Sequence, residues 1–444
     1  MAAEQPFATF MEARRGTLIS IDKNNLESRM KAYYNKKIDW QAYKALDLGL
    51  SENAPRFDAE RTRSKVIQIE EYSDARFQRY TLHPMDIRWC YYSPVRPLWN
   101  EPRPDLWDQC FEGNQFITTR LKTEKEAKGS PLYYSRCLVD WQCIARNVSI
   151  IPIRLRKGHK INKESKTVQM QLPGGEIKGE PIQANLSLSA QEYLNHFKIE
   201  DFDKDIHNSG IIWKHALAIS YSSAYLDENK DFIRQDWPRI PLPDNRELLE
   251  ESALLGDLLA GLLDTDQDVS GITTGQIRDE LKLVGIISRC GGGHLQDNEL
   301  ALTAGWGHIQ SDAIMPGRGK ISSRDYTSDE RFAIETGTAK LGFSPNEWLQ
   351  QLGDSTFDIY LNNVAYWRNI PKRVWEYYIG GFQVMKKWLS YREQTILNRP
   401  LTIAEINHFK NMSRRIAAIL LLEPKLNDNY QNCKLKVFAW TNKQ

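Results

Sequence analysis

Met85-Asp-Ile-Arg-Trp-Cys-Tyr-Tyr-Ser-Pro-Val-Arg-Pro-Leu-Trp-Asn-Glu-Pro-Arg-Pro-Asp-Leu-Trp107 is the stretch on which the reading of this chain turns. It interleaves three arginines (Arg88, Arg96, Arg103) with three tryptophans (Trp89, Trp99, Trp107) and two tyrosines (Tyr91, Tyr92). Four prolines (Pro94, Pro97, Pro102, Pro104) fix φ and remove backbone donors, which holds much of the segment extended rather than helical. Two readings follow. Guanidinium forks bind phosphates and base edges, and flat rings pack beneath them, which is one chemistry a polyanion needs. The plainer reading is a proline-rich connector whose rings fill a core, the commoner fate of large aromatics.

Around this segment lie 444 residues, enough for two or three domains, with an ordinary globular balance of 41% hydrophobic and 26% charged residues. No run of 18 apolar residues offers a membrane span, and the start, Met1-Ala-Ala-Glu-Gln-Pro-Phe7, lacks a secretory pattern. Six scattered cysteines without a Cys-x-x-Cys pair point to free thiols in a reducing cytoplasm. The net charge of +2 hides an uneven distribution. Residues 115–166 carry twelve Lys/Arg against four Asp/Glu, residues 244–300 four against twelve, and residues 371–415 nine against three. Basic regions of this density suit a polyanion, through counterion release; alternatively they are solvated faces that pair with the acidic one.

Patterning gives an α+β chain, with a mixed β-containing region in front and a mainly helical C-terminal scaffold behind. Leu18–Asp22 reads as a strand and Asn25–Tyr34 as a helix with Met30 and Tyr33 on one side. Phe116–Thr119, Leu138–Trp141 and residues 149–156 read as β, the last running into a Lys/Gly-rich loop that extends to about residue 182. Residues 211–226 read as one helix. Leu248 to Leu262 read as another, with Asp244 and Glu247 as its capping pair. Residues 265–325 are glycine-rich and irregular. Thr327-Ser-Asp-Glu330 and Thr402-Ile-Ala-Glu405 match the capping box at the head of two further helices, and Trp375, Phe382, Val384, Trp388 and Leu389 read as core. The expected segments are 1–80, 81–243, 244–326 and 327–444.

Catalytic motifs are missing. There is no phosphate-binding Gly-x-x-x-x-Gly-Lys loop, no Gly-x-Ser-x-Gly elbow and no His-Glu-x-x-His helix. Glu280-Leu-Lys282 offers half of a nuclease motif but reads as a helical surface face. His215, within an apolar helix, reads as a hydrogen-bonded core histidine, and His294 and His308 have no companions at ligand spacing. No Pro-Pro dipeptide exists for an adenine-flipping loop, and no Phe-x-Gly-x-Gly turn for S-adenosylmethionine.

Several stretches nevertheless form a pattern. Pro84-Met-Asp-Ile-Arg-Trp89, Leu98–Trp107 and Gly113-Asn-Gln-Phe116 resemble the C-terminal part of type ISP restriction-modification enzymes. So do Asp236-Trp-Pro-Arg-Ile-Pro-Leu-Pro243, Leu255-Gly-Asp-Leu-Leu-Ala260, Thr303-Ala-Gly-Trp-Gly-His308, the run from Val374 to Glu393 and that from Met412 to Leu422. In that family one polypeptide carries a nuclease, an ATP-driven translocase, an N6-adenine methyltransferase and a C-terminal target recognition domain. The present chain resembles the last part, with Leu18–Tyr34 similar to the tail of the methyltransferase domain.

The resemblance implies sequence-specific recognition of double-stranded DNA, as the specificity part of a DNA methyltransferase and restriction system. A methyltransferase/helicase/nuclease polypeptide would be the partner. No cofactor or metal is expected in this chain: S-adenosylmethionine, ATP and Mg belong to the missing catalytic domains. The chain would then be a separately encoded specificity subunit or the remnant of a split or truncated gene. The alternatives are a fragment with residual enzymatic activity and a scaffold that binds no DNA. Phosphate contacts position a duplex without specifying it. The candidates for them are Arg154, Arg156, Lys157 and Lys160, with Arg318, Lys320 and Arg324 in a second loop. Base readers are sought in the loops at 114–128, 155–175 and 286–322, and Arg88 with its proline-rich extension reads mainly as a rigid base.

Overall fold

A computed structural model describes residues 2–14, 16–121, 128–144, 148–156, 181–311 and 313–440. The chain divides into two compact units, one of Met1–Leu82, Asp86–Leu121 and Tyr134–Trp213, the other of His83–Met85, Lys122–Tyr133 and Lys214–Gln444.

In chain order the strands of the front half are β1 (Phe7–Ala8), β2 (Ile19–Ser20), β3 (Phe77–His83), β4 (Asp86–Tyr91), β5 (Phe116–Arg120), β6 (Tyr133–Ser135), β7 (Leu138–Val139), β8 (Val148–Pro152), β9 (Arg154–Arg156) and β10 (Ile182–Ala184). One sheet has the order β1-β8-β5-β6, a second β2-β4-β3-β7, and β9 pairs with β10 alone. The helix Lys23–Tyr34 buries Leu26, Met30, Tyr33 and Tyr34, as its spacing predicts.

The segment that opened the reading is the core of this unit. Trp99 is fully buried and its indole N–H donates to the Tyr91 carbonyl at 3.0 Å. Trp107 stacks on Tyr92 with centroids 3.7 Å apart, and Phe10 meets Tyr92 edge-on at 5.8 Å. Strand β4 turns Asp86, Arg88 and Cys90 to the interior. Two charges are tolerated there because they are paired, with Arg88 Nη2 2.6 Å from Asp86 Oδ2. Arg96 and Arg103 both reach Glu101, Arg103 at 3.4 Å. Arg88 is thus a residue of the fold's interior, while Arg96 and Arg103 are paired at its surface.

In the second unit the helix Arg246–Leu263 lies along the 33-residue helix Ile403–Leu435. Arg415 of the long helix donates to the carbonyls of Gly261 and Leu262 at 2.7 and 3.2 Å. Gly256 is needed for close approach, because a Cβ there would stand 1.9 Å from the Lys214 carbonyl oxygen. His215 is a buried hydrogen-bonded histidine, as read: Nδ1 meets Ser252 Oγ at 2.7 Å and Nε2 the Pro241 carbonyl at 2.9 Å. Burial pushes its pKa down to about 4, so the ring is neutral at pH 7. Both capping boxes form, at Thr327/Glu330 and Thr402/Glu405.

Four expectations need correction. The single helix over 211–226 is two, Ile206–Ser220 and Ser223–Gln235, because Ser222 stops the first and caps the second by accepting from Tyr225 N. The helix Arg246–Leu263 is capped by Asn245, whose side chain accepts from Leu248 N, and not by Asp244. Glu280 is buried rather than on a surface face, 2.8 Å from Arg278 and so close to Gly337 that a Cβ there would meet its carboxylate at 2.2 Å. The C-terminal region is helical in the main, but strands lie between its helices, chief among them β15 (Thr356–Tyr360) and β16 (Ala365–Pro371). With β11 (Ile286–Arg289) and β14 (Ile321–Arg324) they form an antiparallel sheet of order β11-β16-β15-β14. Two separate two-stranded pairs complete this half: β12 (Gly307–Gln310) with β13 (Ala313–Pro316), and β17 (Tyr378–Ile379) with β18 (Phe382–Gln383).

Candidate nucleic-acid interface

Strand pairing decides which side chains share a face, because opposed residues point the same way. In the four-stranded sheet Ile287, Trp367, Ile359 and Ile321 lie in register across the strands. Trp367 and Ile359 of this face are fully buried, and Trp367 packs 4.0 Å from Phe409 of the long helix. The opposite face carries Ser288, Tyr366, Arg368, Tyr360, Asp358, Ser322 and Arg324. Tyr360 and Tyr366 stack at 5.2 Å. Lys320 Nζ stands 4.6 Å over the Tyr360 ring and donates to Asn363 Oδ1 at 3.1 Å. Burial, more than the neighbouring Cys290 and Asp358, raises the Tyr360 pKa, keeping its hydroxyl a neutral donor. The result is an outward surface of rings, hydroxyls and cations.

Beside it stands the β12–β13 ribbon. Its foot is built by Thr303-Ala-Gly-Trp-Gly-His308, the motif singled out in the sequence. Trp306 is fully buried and its indole N–H donates to the Tyr360 carbonyl at 2.8 Å. Glu393 accepts from the backbone N–H groups of Gly305 and Trp306 at 3.1 and 2.7 Å. Three glycines make room for this anchor. A Cβ on Gly307 would stand 1.9 Å from the Ser390 carbonyl oxygen, one on Gly317 2.1 Å from that of Gly305, and one on Gly319, at φ +69°, 2.2 Å from the Trp306 ring. The register pairs His308 with Met315 and Gln310 with Ala313, so these four share one face, and all four are exposed. The other face holds Ile309, which is 65% exposed, with Ile314 and Pro316.

The seven candidate cations fare differently. Arg318 is exposed and, among the described residues, its guanidinium has no hydrogen-bond or ion-pair partner; the same is true of Arg368, which the sequence reading missed. Lys320 is exposed and leans on Tyr360. Arg324 is clamped: Glu330 holds both of its terminal nitrogens at 2.7 and 2.8 Å, and Asp358 its Nε at 3.0 Å. That clamp raises its pKa further, and a phosphate would have to displace a carboxylate from it. In the other unit Arg154 donates to the Asp203 carbonyl at 2.6 Å, and Arg156 stands 5.0 Å over Phe111. Lys157 and Lys160 lie outside the described residues, as do parts of the loops at 114–128 and 155–175.

The basic stretch 371–415 is largely internal. Arg392, Arg414 and Arg415 are buried, Arg373 pairs with Glu423 at 2.9 Å and Arg399 with Glu405 at 2.7 Å. Its charge therefore does not translate into a basic surface. Tyr360, Tyr366 and Arg368 were missed because residues 327–444 read as helical. The usable signal was the alternation in Thr356-Phe-Asp-Ile-Tyr360 and Ala365-Tyr-Trp-Arg-Asn-Ile370, which has a strand's period. Among the described residues no group of three or more His, Cys, Asp or Glu side chains is clustered as a metal would require, and no helix is long and apolar enough to cross a membrane.

Comparison with known proteins gives a family and a fold. The family model described as the Type ISP C-terminal specificity domain matches residues 9–419. No curated protein matches the chain. Among solved structures, the ATP-dependent Type ISP restriction-modification enzyme LlaBIII bound to DNA superposes with a TM-score of 0.55 at 13% identity, covering 97% of this chain and 23% of that one. A nuclease-deletion mutant of the Type ISP enzyme LlaGI in complex with a DNA substrate mimic gives 0.53 at 12%, covering 97% and 33%. A DrdV–DNA complex gives 0.53 at 10%, covering 96% and 36%. At such identities the likeness is one of fold, and this chain spans between 23% and 36% of the length of those proteins.

Proposed function

Because the chain belongs to the Type ISP C-terminal specificity domain family, we propose that it recognises a short DNA target sequence in duplex form and presents it to a methyltransferase-bearing partner polypeptide. The observation that carries this reading is the family match over residues 9–419. It is supported by the DNA-bound state of the structurally similar enzymes and by the outward cations and polar side chains around the β12–β13 ribbon. The setting is the cytoplasm. Chemistry that uses S-adenosylmethionine, ATP or Mg belongs, in this reading, to the partner.

Binding would begin with phosphates. Arg318 and Lys320 are the leading anchors, since both are exposed on the segment that follows the ribbon. Arg154 and Arg156 of β9, with Lys157 and Lys160 next in the sequence, form a second proposed set, and Arg324 takes part only if its carboxylate clamp opens. Such contacts fix register and orientation and carry no sequence information.

The test is duplex binding measured as a function of salt. Neutralising Z phosphates makes log K fall with log salt at a slope of roughly −0.9Z, so a steep fall between about 50 and 200 mM is expected. Absence of salt-sensitive affinity would exclude this function. A parallel titration with S-adenosylmethionine separates the enzymatic alternative: saturable binding by this chain alone would favour a residual methyl-transfer role over a pure recognition domain.

A further inference from the structure

We infer that the β12–β13 ribbon is the base-reading element, entering the DNA major groove with the face that carries His308, Gln310, Ala313 and Met315. The inference rests on the reading of the chain as a DNA target recognition domain and adds to it which side chains carry the specificity.

A major groove about 12 Å wide admits an α-helix or a two-stranded ribbon, and little else. The sheet formed by β11, β16, β15 and β14 is too broad to enter. The ribbon is a single antiparallel pair whose strands are separated by only two residues of sequence, and its described residues are mostly exposed.

An isolated hairpin is marginally stable in water and would lose entropy on docking. Here the foot is fixed by the buried Trp306 indole, by the two backbone N–H groups held on Glu393, and by glycines at 307, 317 and 319 that let the backbone close around the ring. The reader is presented pre-formed.

The two faces of the ribbon differ in chemistry. One face holds Gln310, whose amide matches the adenine N6/N7 edge, and His308, which offers a ring nitrogen to a base edge. Met315 and Ala313 on the same face suit the thymine methyl. The opposite face carries Ile309, Ile314 and Pro316 and has no hydrogen-bonding side chain with which to read an edge. Charge agrees: from Thr303 to Arg324 the sequence has Arg318, Lys320 and Arg324 against the single carboxylate of Asp312. The outward sheet face is a poorer reader, because Lys320, Tyr360 and Tyr366 already engage one another and Arg324 is clamped, leaving Arg368 as its one exposed and unpaired cation among the described residues.

The experiment is enrichment of a randomised duplex pool by the 444-residue chain, carried out for wild type, Gln310→Ala, Gln310→Glu, His308→Ala and Ile309→Ala, with affinity for unselected duplex DNA measured alongside. Wild type is expected to enrich one motif. Gln310→Ala should lose preference at one base pair of it, by roughly tenfold or more, while affinity and salt slope on unselected DNA stay as in wild type. Gln310→Glu should exchange an adenine preference for cytosine at that position, since a carboxylate accepts from cytosine N4. A gained preference cannot come from misfolding. Ile309→Ala should leave the motif intact.

If Gln310 and His308 variants enrich the wild-type motif unchanged, the ribbon is not the reader although the domain still recognises DNA. If Ile309→Ala alters the motif while Gln310→Ala does not, the assigned face is wrong. If wild type itself shows no salt-sensitive duplex binding, the recognition reading falls, and this inference with it.

Discussion

Two regions of this chain look alike as sequence and behave oppositely as structure. Met85–Trp107 and Thr303–Arg324 both set arginines among aromatic and glycine or proline residues. In the first, Arg88 is buried against Asp86, Arg96 and Arg103 share Glu101, and Trp99 and Trp107 sit in the core. In the second, Trp306 is buried and fastens a ribbon whose His308, Gln310, Ala313 and Met315 are exposed, with Arg318 and Lys320 beyond it. Composition cannot separate these cases. Whether a carboxylate stands beside the guanidinium does, and only the fold decides that.

The largest expected effect breaks the first region. Arg88→Ala strips the buried Asp86 carboxylate of its guanidinium, and loss of one partner of a buried pair costs about 3–5 kcal/mol. Thermal unfolding should show this loss, while the fraction that remains folded keeps its DNA affinity. Unchanged stability would mean that Arg88 is not a structural residue.

Next in size is a pH effect in the same unit. Asp140 accepts from Tyr80 Oη at 2.8 Å, and burial pushes its pKa up to about 7. A folded-state pKa above the unfolded value of 3.8 means that the native state binds the extra proton between pH 4 and 7. The resulting stabilisation is complete below pH 4 and is lost as pH rises through about 7, on the order of a few kcal/mol. Asp140→Asn should flatten denaturant midpoints measured across that range. A variant that keeps the wild-type pH slope would assign the titration to another group.

These two effects bear on how much could be read before folding. The α+β class, both capping boxes, the core role of His215 and the framework role of Met85–Trp107 were legible, because each rests on local chemistry or on a long distinctive pattern. The break at Ser222 was also local and was outweighed by the continuous apolar spacing from Ile211 to Leu226. The outward sheet face was not legible. Its strands come from residues 286, 321, 356 and 365 onward, and only pairing brings Arg368, Tyr366 and Tyr360 onto one face. Arg324 looked like an anchor because Asp358, one of its two carboxylate partners, lies 34 residues away in sequence.

A smaller effect probes the second region. Gly319→Ala pushes a methyl to within 2.2 Å of the Trp306 ring at a positive φ, and overpacking of this kind costs about 1–3 kcal/mol. Because the strain falls at the foot of the ribbon, selectivity among DNA sequences should fall more than overall stability. Equal loss of both would make the glycine a purely structural element.

The smallest effect on stability comes from Arg318→Ala with Lys320→Ala. Exposed substitutions of this kind stay within about 0.5 kcal/mol, whereas the salt slope should drop by about 2 for every duplex tested. Weakening on one sequence alone would make these residues readers rather than anchors.

The contrast between the regions is tested most directly by photo-crosslinking. A photoreactive amino acid is placed at Gln310 in one variant and at Arg96 in another, each is irradiated with a labelled duplex, and the crosslinked fraction is compared. Both side chains reach solvent, so accessibility alone does not decide the result. Efficient crosslinking from position 310 with none from position 96 is the predicted result. Crosslinking from position 96 with none from position 310 would contradict it, and would return the DNA to the segment whose arginines are here assigned to the framework.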